Sequence, residues 1–251
     1  MITEATDQHS TPQAFYWLSS ARRDDALIEL LYARKPSAAL VLCNMKQQCE
    51  VVARTLRNAG WYARALHGNL EQRDREQVLL QFDNGSINVV IATDVAAGSL
   101  RSRQLELVVS FDLPRNPAIH FQRQGFVAPE GLLASLVTAQ DESRYRRVEA
   151  HCASNTGLES LPRAQERSVR KPLWSTLMIN GGEKDRLTPL DVEEALVGGG
   201  LSAEAIGRVD IRDFCTYVAV ARESASRALE ILREARLHGK QFMVRGLSIH
   251  Q

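Results

Sequence analysis

Val89-Val90-Ile91-Ala92-Thr93-Asp94-Val95-Ala96-Ala97 is an apolar run that ends in a Thr-Asp turn. Five uncharged residues, most of them β-branched, suit a short strand covered on both faces. The residues after the turn, Gly98-Ser99-Leu100-Arg101-Ser102-Arg103, are small and cationic and do not prolong the apolar pattern.

Outward from this strand, apolar runs alternate with amphipathic segments between about Phe15 and Cys152. Ser37–Cys43 reads as a buried strand. Lys46–Asn58 reads as a helix, because Cys49, Val52, Ala53 and Leu56 recur on one face at three- and four-residue spacing. Gly60 stops it, and Trp61–His67 extends again. Leu70–Phe82 is a second helix, with Asn84-Gly85 as its turn. Ile87–Ala92, Leu105–Phe111 and Leu132–Val137 are further strands. Such alternation specifies an α/β fold built on a parallel sheet.

The chain has 251 residues, 44% of them apolar, enough for two units of ordinary size. A net charge of +1 gives no global pull toward nucleic acid or anionic membrane, so any RNA contact must come from local patches. Cys43, Cys49, Cys152 and Cys215 form no metal-ligand spacing and read as reduced thiols. The polar N-terminus carries no leader pattern and no window is long enough to cross a bilayer, so the expected setting is cytoplasmic, without membrane.

Residues 1–14 read as a disordered lead-in and 15–152 as the first domain. Residues 153–172, with two prolines and Arg163, Arg167, Arg170 and Lys171, read as a linker. A second unit, 173–251, has the order strand, helix, strand, strand, helix, strand: Thr176–Asn180, Pro189–Val197, Gly207–Ile211, Thr216–Ala221, Ser224–Ala235 and Gln241–Leu247. That is the small α+β (βαββαβ) arrangement of the RRM, whose open sheet face can carry RNA.

Three motifs make the pattern specific: Leu66-His67-Gly68-Asn69-Leu70-Glu71-Gln72-Arg73-Asp74-Arg75, Phe82-Asp83-Asn84-Gly85-Ser86 and Ile91–Ala97. Together they resemble the second RecA-like domain of DEAD-box RNA helicases. Leu40–Lys46 and Leu105–Leu113 fit the flanking family motifs. The stretch Leu177–Val192, LMINGGEKDRLTPLDV, resembles the RNA-binding domain of the DbpA subfamily. The resemblance covers about residues 15–251. It implies a tail that recognises a hairpin of large-subunit (23S) ribosomal RNA, and a motor that uses ATP and magnesium in intact family members.

The departures from that pattern bear on catalysis. No Gly-x-x-x-x-Gly-Lys-Ser/Thr loop or Asp-Glu-x-Asp motif occurs, so no cofactor is expected for this chain alone. Where the family continues Arg-Gly-Leu-Asp after the Thr-Asp loop, this chain has Gly98-Ser99-Leu100-Arg101. Where the family reads His-Arg-x-Gly-Arg-x-x-Arg, this chain reads Gln122-Arg123-Gln124-Gly125-Phe126-Val127-Ala128-Pro129. Phe126 and Pro129 thus stand at the two transition-state arginines, and an arginine of this kind contributes roughly 10³–10⁵ in rate. Arg101, Arg123, Phe126 and Pro129 are degenerate nucleotide-site positions, and no catalytic residue is assigned.

For RNA, the resemblance implies that Thr93 and the Gly68 amide hold sugar-phosphate, with Asn44, Gln72 and Arg73 weaker candidates. In the tail it implies Lys184, Arg186, Lys240 and Arg245, and Tyr217 where RRMs place a stacking aromatic. Tyr217 reads equally as core. From Pro172 onward, ten Lys and Arg face eleven Asp and Glu, a net of −1, so the basic footprint usual for an RNA module is weak. Arg222, Arg227 and Arg233, amid Glu223, Glu230 and Glu234, read as a solvated face. The expected function is RNA binding without ATPase or unwinding. The alternatives are a helicase half served by a separate first domain, and a stable gene remnant.

Overall fold

The computed structural model describes residues 12–19, 22–100, 103–152 and 157–247. By their contacts the residues form two units: Met1–Val78 with Asn88–Arg170, and Leu79–Ile87 with Lys171–Gln251. The chain runs β1 (Gln13–Trp17), α1 (Arg23–Arg34), β2 (Ala39–Cys43), α2 (Lys46–Asn58), β3 (Ala63–Leu66), α3 (Gln72–Asp83), β4 (Val89–Thr93) and α4 (Asp94–Ala97). It continues with β5 (Leu105–Ser110), α5 (Pro117–Gln124), β6 (Val127–Val137), α6 (Glu142–Glu149) and β7 (Leu158–Glu159).

The first seven strands form one parallel sheet in the order β3-β4-β2-β5-β6-β1-β7. Every residue of β2 is buried, because helices cover both faces of the sheet. On α2 the buried residues are Cys49, Val52, Ala53 and Leu56, the stripe whose spacing identifies the helix. Each such side chain contributes about 1.5–3 kcal/mol on burial if it is a Val or Leu. The hydrogen bond with the Cys49 thiol, and then burial, hold the Cys43 thiol well above its ordinary range.

Two expected boundaries move. β1 begins at Gln13, inside the segment read as lead-in; residues 1–11 lie outside the described residues. Its register with β6 (Gln13↔Leu133) and the burial of Phe15 and Tyr16 order it. Of the expected linker, 153–156 lie outside the described residues, whereas 157–170 form part of the first unit. β7 pairs with β1, and Leu161 and Val169 rest on the core. Glu29 accepts from the Ala164 amide at 2.7 Å and from Arg167 at 2.9 Å, while Lys35 donates to Glu166 and Ser168 at 2.8 Å each. Arg167 is therefore engaged at home.

In the second unit, β8 (Trp174–Ile179), α7 (Pro189–Gly198), β9 (Ile206–Ile211), β10 (Thr216–Ala221), α8 (Ala225–Glu234) and β11 (Val244–Gly246) keep the expected order. The sheet is antiparallel, β11-β8-β10-β9. Pro189 opens α7 at its first position, and the Thr188 amide donates to Asp191 Oδ2 at 2.8 Å to cap it. Leu177, Ile179, Val218 and Val220 form a core with Val192, Leu196, Ile231 and Leu232 of the helices. Among the described residues no helix is long and apolar enough to cross a membrane.

Candidate nucleic-acid interface

Because β2, β3 and β4 run parallel, their carboxyl ends reach one edge of the sheet, where open α/β folds gather ligands. Asn44 comes directly after β2, Gly68 comes shortly after β3, and Thr93 ends β4. These three line one cleft of about 520 Å³ with Lys46, Arg75, Val95, Ala96 and Ser99. Gly68 and Thr93, the two residues expected to hold phosphate, therefore line the same cleft. Gln72 instead donates to Glu76 at 2.7 Å on its own helix.

The cleft's local chemistry suits a sugar-phosphate chain. Thr93 makes no side-chain cap to α4, so its hydroxyl is not used by its own turn. Lys46 Nζ donates to Asn69 Oδ1 at 2.9 Å and lies 3.6 Å from where a Cβ on Gly68 would stand. His67 Nδ1 accepts from the Asn69 amide at 3.3 Å, so Nε2 carries the proton and donates to Glu50 at 2.8 Å. The His67–Asn69 turn is thus pinned from behind.

Arg123 sits behind the same edge, with 1% of its side chain exposed. Its Nε and Nη2 donate to the two Asp94 oxygens at 2.7 and 2.9 Å, and Nη1 donates to the Asp112 carbonyl at 2.8 Å. This bidentate fork ties the Thr93-Asp94 turn to the end of β5. Arg123 is therefore a structural clasp. Asp112 Oδ2 in turn accepts from the Asn44 amide at 3.0 Å.

Phe126 and Pro129 part company. Phe126 is 5% exposed and belongs to the interior, whereas Pro129 is exposed on β6. β6 starts at Val127, five residues before the expected strand, and its pairing with β5 shifts register between Leu105 and Leu107. A Cβ at Gly131 would stand 2.5 Å from the Leu105 carbonyl oxygen, so the close strand approach requires glycine there. Neither the Phe126 nor the Pro129 side chain offers a donor to a phosphate, and Arg101 lies outside the described residues. The described residues at these positions do not fit a transferring phosphoryl group.

In the second unit, the loop after β8 carries Lys184 in a 3₁₀ turn and Arg186 at φ +64°. Lys240 Nζ donates to Asp185 at 3.0 Å, and that bond holds the Asp185 carboxyl below its usual range. Arg245 pairs with Met178 across β11 and β8, and Tyr217 pairs with Met178 across β10 and β8, so all three share a face. Tyr217 is 5% exposed and clusters with Leu80 and Met178. It is not an open stacking platform. Arg222 also departs from the solvated-face expectation, donating to the Pro172, Trp174 and Ser86 carbonyls at 2.6, 2.5 and 3.1 Å.

Known proteins share this arrangement. The helicase conserved C-terminal domain family matches residues 22–127, and the DbpA RNA-binding domain family matches residues 176–245. The ATP-dependent RNA helicase DbpA of Escherichia coli K12 is 36% identical over 237 residues, covering 93% of this chain and 52% of the relative. The chain belongs to the DbpA-like DEAD-box proteins. It spans about half the length of the curated relatives it matches. Among solved structures, E. coli SrmB bound to regulator of ribonuclease activity A superposes with a TM-score of 0.56 at 24% identity, over 64% of this chain and 97% of that one. This supports the fold alone. A DEAD-box protein from Methanococcus jannaschii gives 0.53 at 28%, over 60% and 42%.

Two cations of the cleft in this DbpA-like chain escape sequence reading. Lys46 closes the Leu40–Lys46 motif and Arg75 closes the Leu66–Arg75 motif, yet neither motif assigns them a role. The packing of α2 and α3 places them on the cleft wall, each within the first turn of its helix. The buried role of Arg123 has no local signal, because its carboxylate lies 29 residues away.

Proposed function

We propose that this DbpA-like chain binds RNA and does not itself hydrolyse ATP. One observation carries the reading: a DbpA RNA-binding domain with a cationic loop is retained beside a helicase domain whose two phosphate-stabilising arginine positions hold a buried Phe126 and a donor-less Pro129. Phosphoryl transfer draws most of its acceleration from such cation clamps. The target we propose is structured large-subunit ribosomal RNA, the 23S hairpin implied by the family, in the cytoplasm. Affinity comes from phosphate contacts at the Thr93 cleft and the Lys184 loop, with hydroxyl and amide donors positioning the strand.

Fluorescence anisotropy with a labelled 23S hairpin and a scrambled control, at about 0.1 M salt, tests recognition. Equal affinity for the two RNAs removes the ribosomal target. A second reading, a helicase half working with a separate first motor domain, draws on the intact cleft of Asn44, Gly68 and Thr93. Mixing the chain with the first domain of the E. coli relative and measuring RNA-stimulated ATP hydrolysis separates the two. Turnover above either component alone favours the second reading.

A further inference from the structure

We infer that Phe214 is the base-stacking residue of the second unit, at the loop end of its sheet rather than on the sheet face. The inference rests on the proposed RNA binding and names the residue that grips an unpaired base. Phe214 lies in the turn joining β9 to β10 and is 70% exposed. A large aromatic held so far into water on a tight turn contributes little to the fold.

The turn is rigidly placed. The Arg212 amide donates to the Cys215 carbonyl at 2.9 Å, closing it, and the cationic loop docks along it. The Glu183 amide donates to Arg212 O at 2.9 Å, and the Lys184 amide to Asp213 O at 3.0 Å. The Thr216 hydroxyl donates to Gly181 O at 2.8 Å. A Cβ at Gly182 would collide with the Arg212 carbonyl oxygen, so the two loops approach this closely only with glycine there. Phe214 is therefore one residue from the backbone pair that carries Lys184, and Arg186 is on the same loop. Neither cation is taken up by a carboxylate among the described residues.

An exposed ring on a turn whose backbone is bonded to the loop bearing two available cations fits a nucleobase with its phosphates: the π-face stacks and the cations neutralise. A wholly apolar protein partner would leave Lys184 and Arg186 unpaired on burial. Tyr217, 5% exposed, cannot take the role.

The experiment uses the full chain and a fluorescein-labelled RNA hairpin carrying 2-aminopurine at an unpaired loop position. Native protein should change the 2-aminopurine emission on binding. F214A should abolish that change and weaken the hairpin about 5- to 100-fold. F214W should keep both, while blunt duplex RNA should bind F214A and native chain alike. Circular dichroism checks that F214A is folded, as its exposure predicts. If K184A and R186A weaken the hairpin but F214A does not, the stacking assignment is overturned and RNA binding stands. If the native chain binds neither hairpin nor duplex, both are overturned.

Discussion

Arg123 holds Asp94 through two parallel hydrogen bonds, 2.7 and 2.9 Å long, from a position almost wholly removed from water. The family's nucleotide motif has kept an arginine whose task is internal. Without it, Asp94 becomes a partly buried carboxylate with no cation to offset its charge.

Arg123→Leu should therefore lower stability by about 3–5 kcal/mol in urea unfolding. Arg123→Lys should recover little, since an ammonium cannot reproduce the fork. If Lys restores native stability, the bidentate geometry is not what matters.

Thr93→Val keeps shape but removes the hydroxyl at the cleft. Loss of one hydrogen bond to an anionic phosphate oxygen predicts RNA binding about 10- to 150-fold weaker, by the same factor for unrelated sequences. A sequence-dependent loss would assign Thr93 to base recognition instead.

His120 is buried, its Nε2 donating to Gln13 at 3.0 Å and its ring stacked on Phe15. Burial, then the Arg123 charge, lowers its pKa from 6.5 to about 4. The unfolded chain takes up this proton first, so the contribution is complete above pH 6.5 and is lost as pH falls toward 4. The loss amounts to about 3 kcal/mol. Denaturation at several pH values should show this slope in the native chain and a flatter one in His120→Leu. Identical slopes would remove His120 from the account.

Phe126→Ala should cost about 3–5 kcal/mol as a cavity in the first unit. Pro129→Arg, on the surface, should shift stability by less than about 0.5 kcal/mol. Pro129→Arg alone should confer no ATP hydrolysis even with a first motor domain added, because Phe126 still fills the other arginine position. Turnover by that variant would contradict the non-catalytic reading.

Removing Lys184 should reduce the dependence of log K on log salt by about 0.7–1. Arg186→Gly should do the same without destabilising the fold, because glycine adopts φ +64° freely. Unchanged salt slopes in both would place the phosphates elsewhere.

The sequence made α2 legible to the residue, because its buried stripe obeys a local period and Gly60 ends it. β1 was not legible: Gln13–Trp17 is a strand only because β6, over 100 residues away, offers it a parallel edge. The 157–170 segment looked like a spacer from its prolines and arginines, yet Glu29 and Lys35 capture it through contacts no local window contains. Tyr217 was half legible. Its sequence context reads equally as stacking aromatic and as core, and Leu80, far upstream, decided that its face is covered.

Gly182 has a consequence for how recognition can change. Its missing side chain lets the loops bearing Lys184 and Phe214 share main-chain hydrogen bonds, so their spacing is set by backbone and not by the residues displayed. Positions 184 and 214 can thus be exchanged while the frame stays fixed, whereas position 186, at φ +64°, favours glycine or asparagine over most other residues. The second unit behaves as a mount with replaceable tips, whose displayed side chains can change without a new fold.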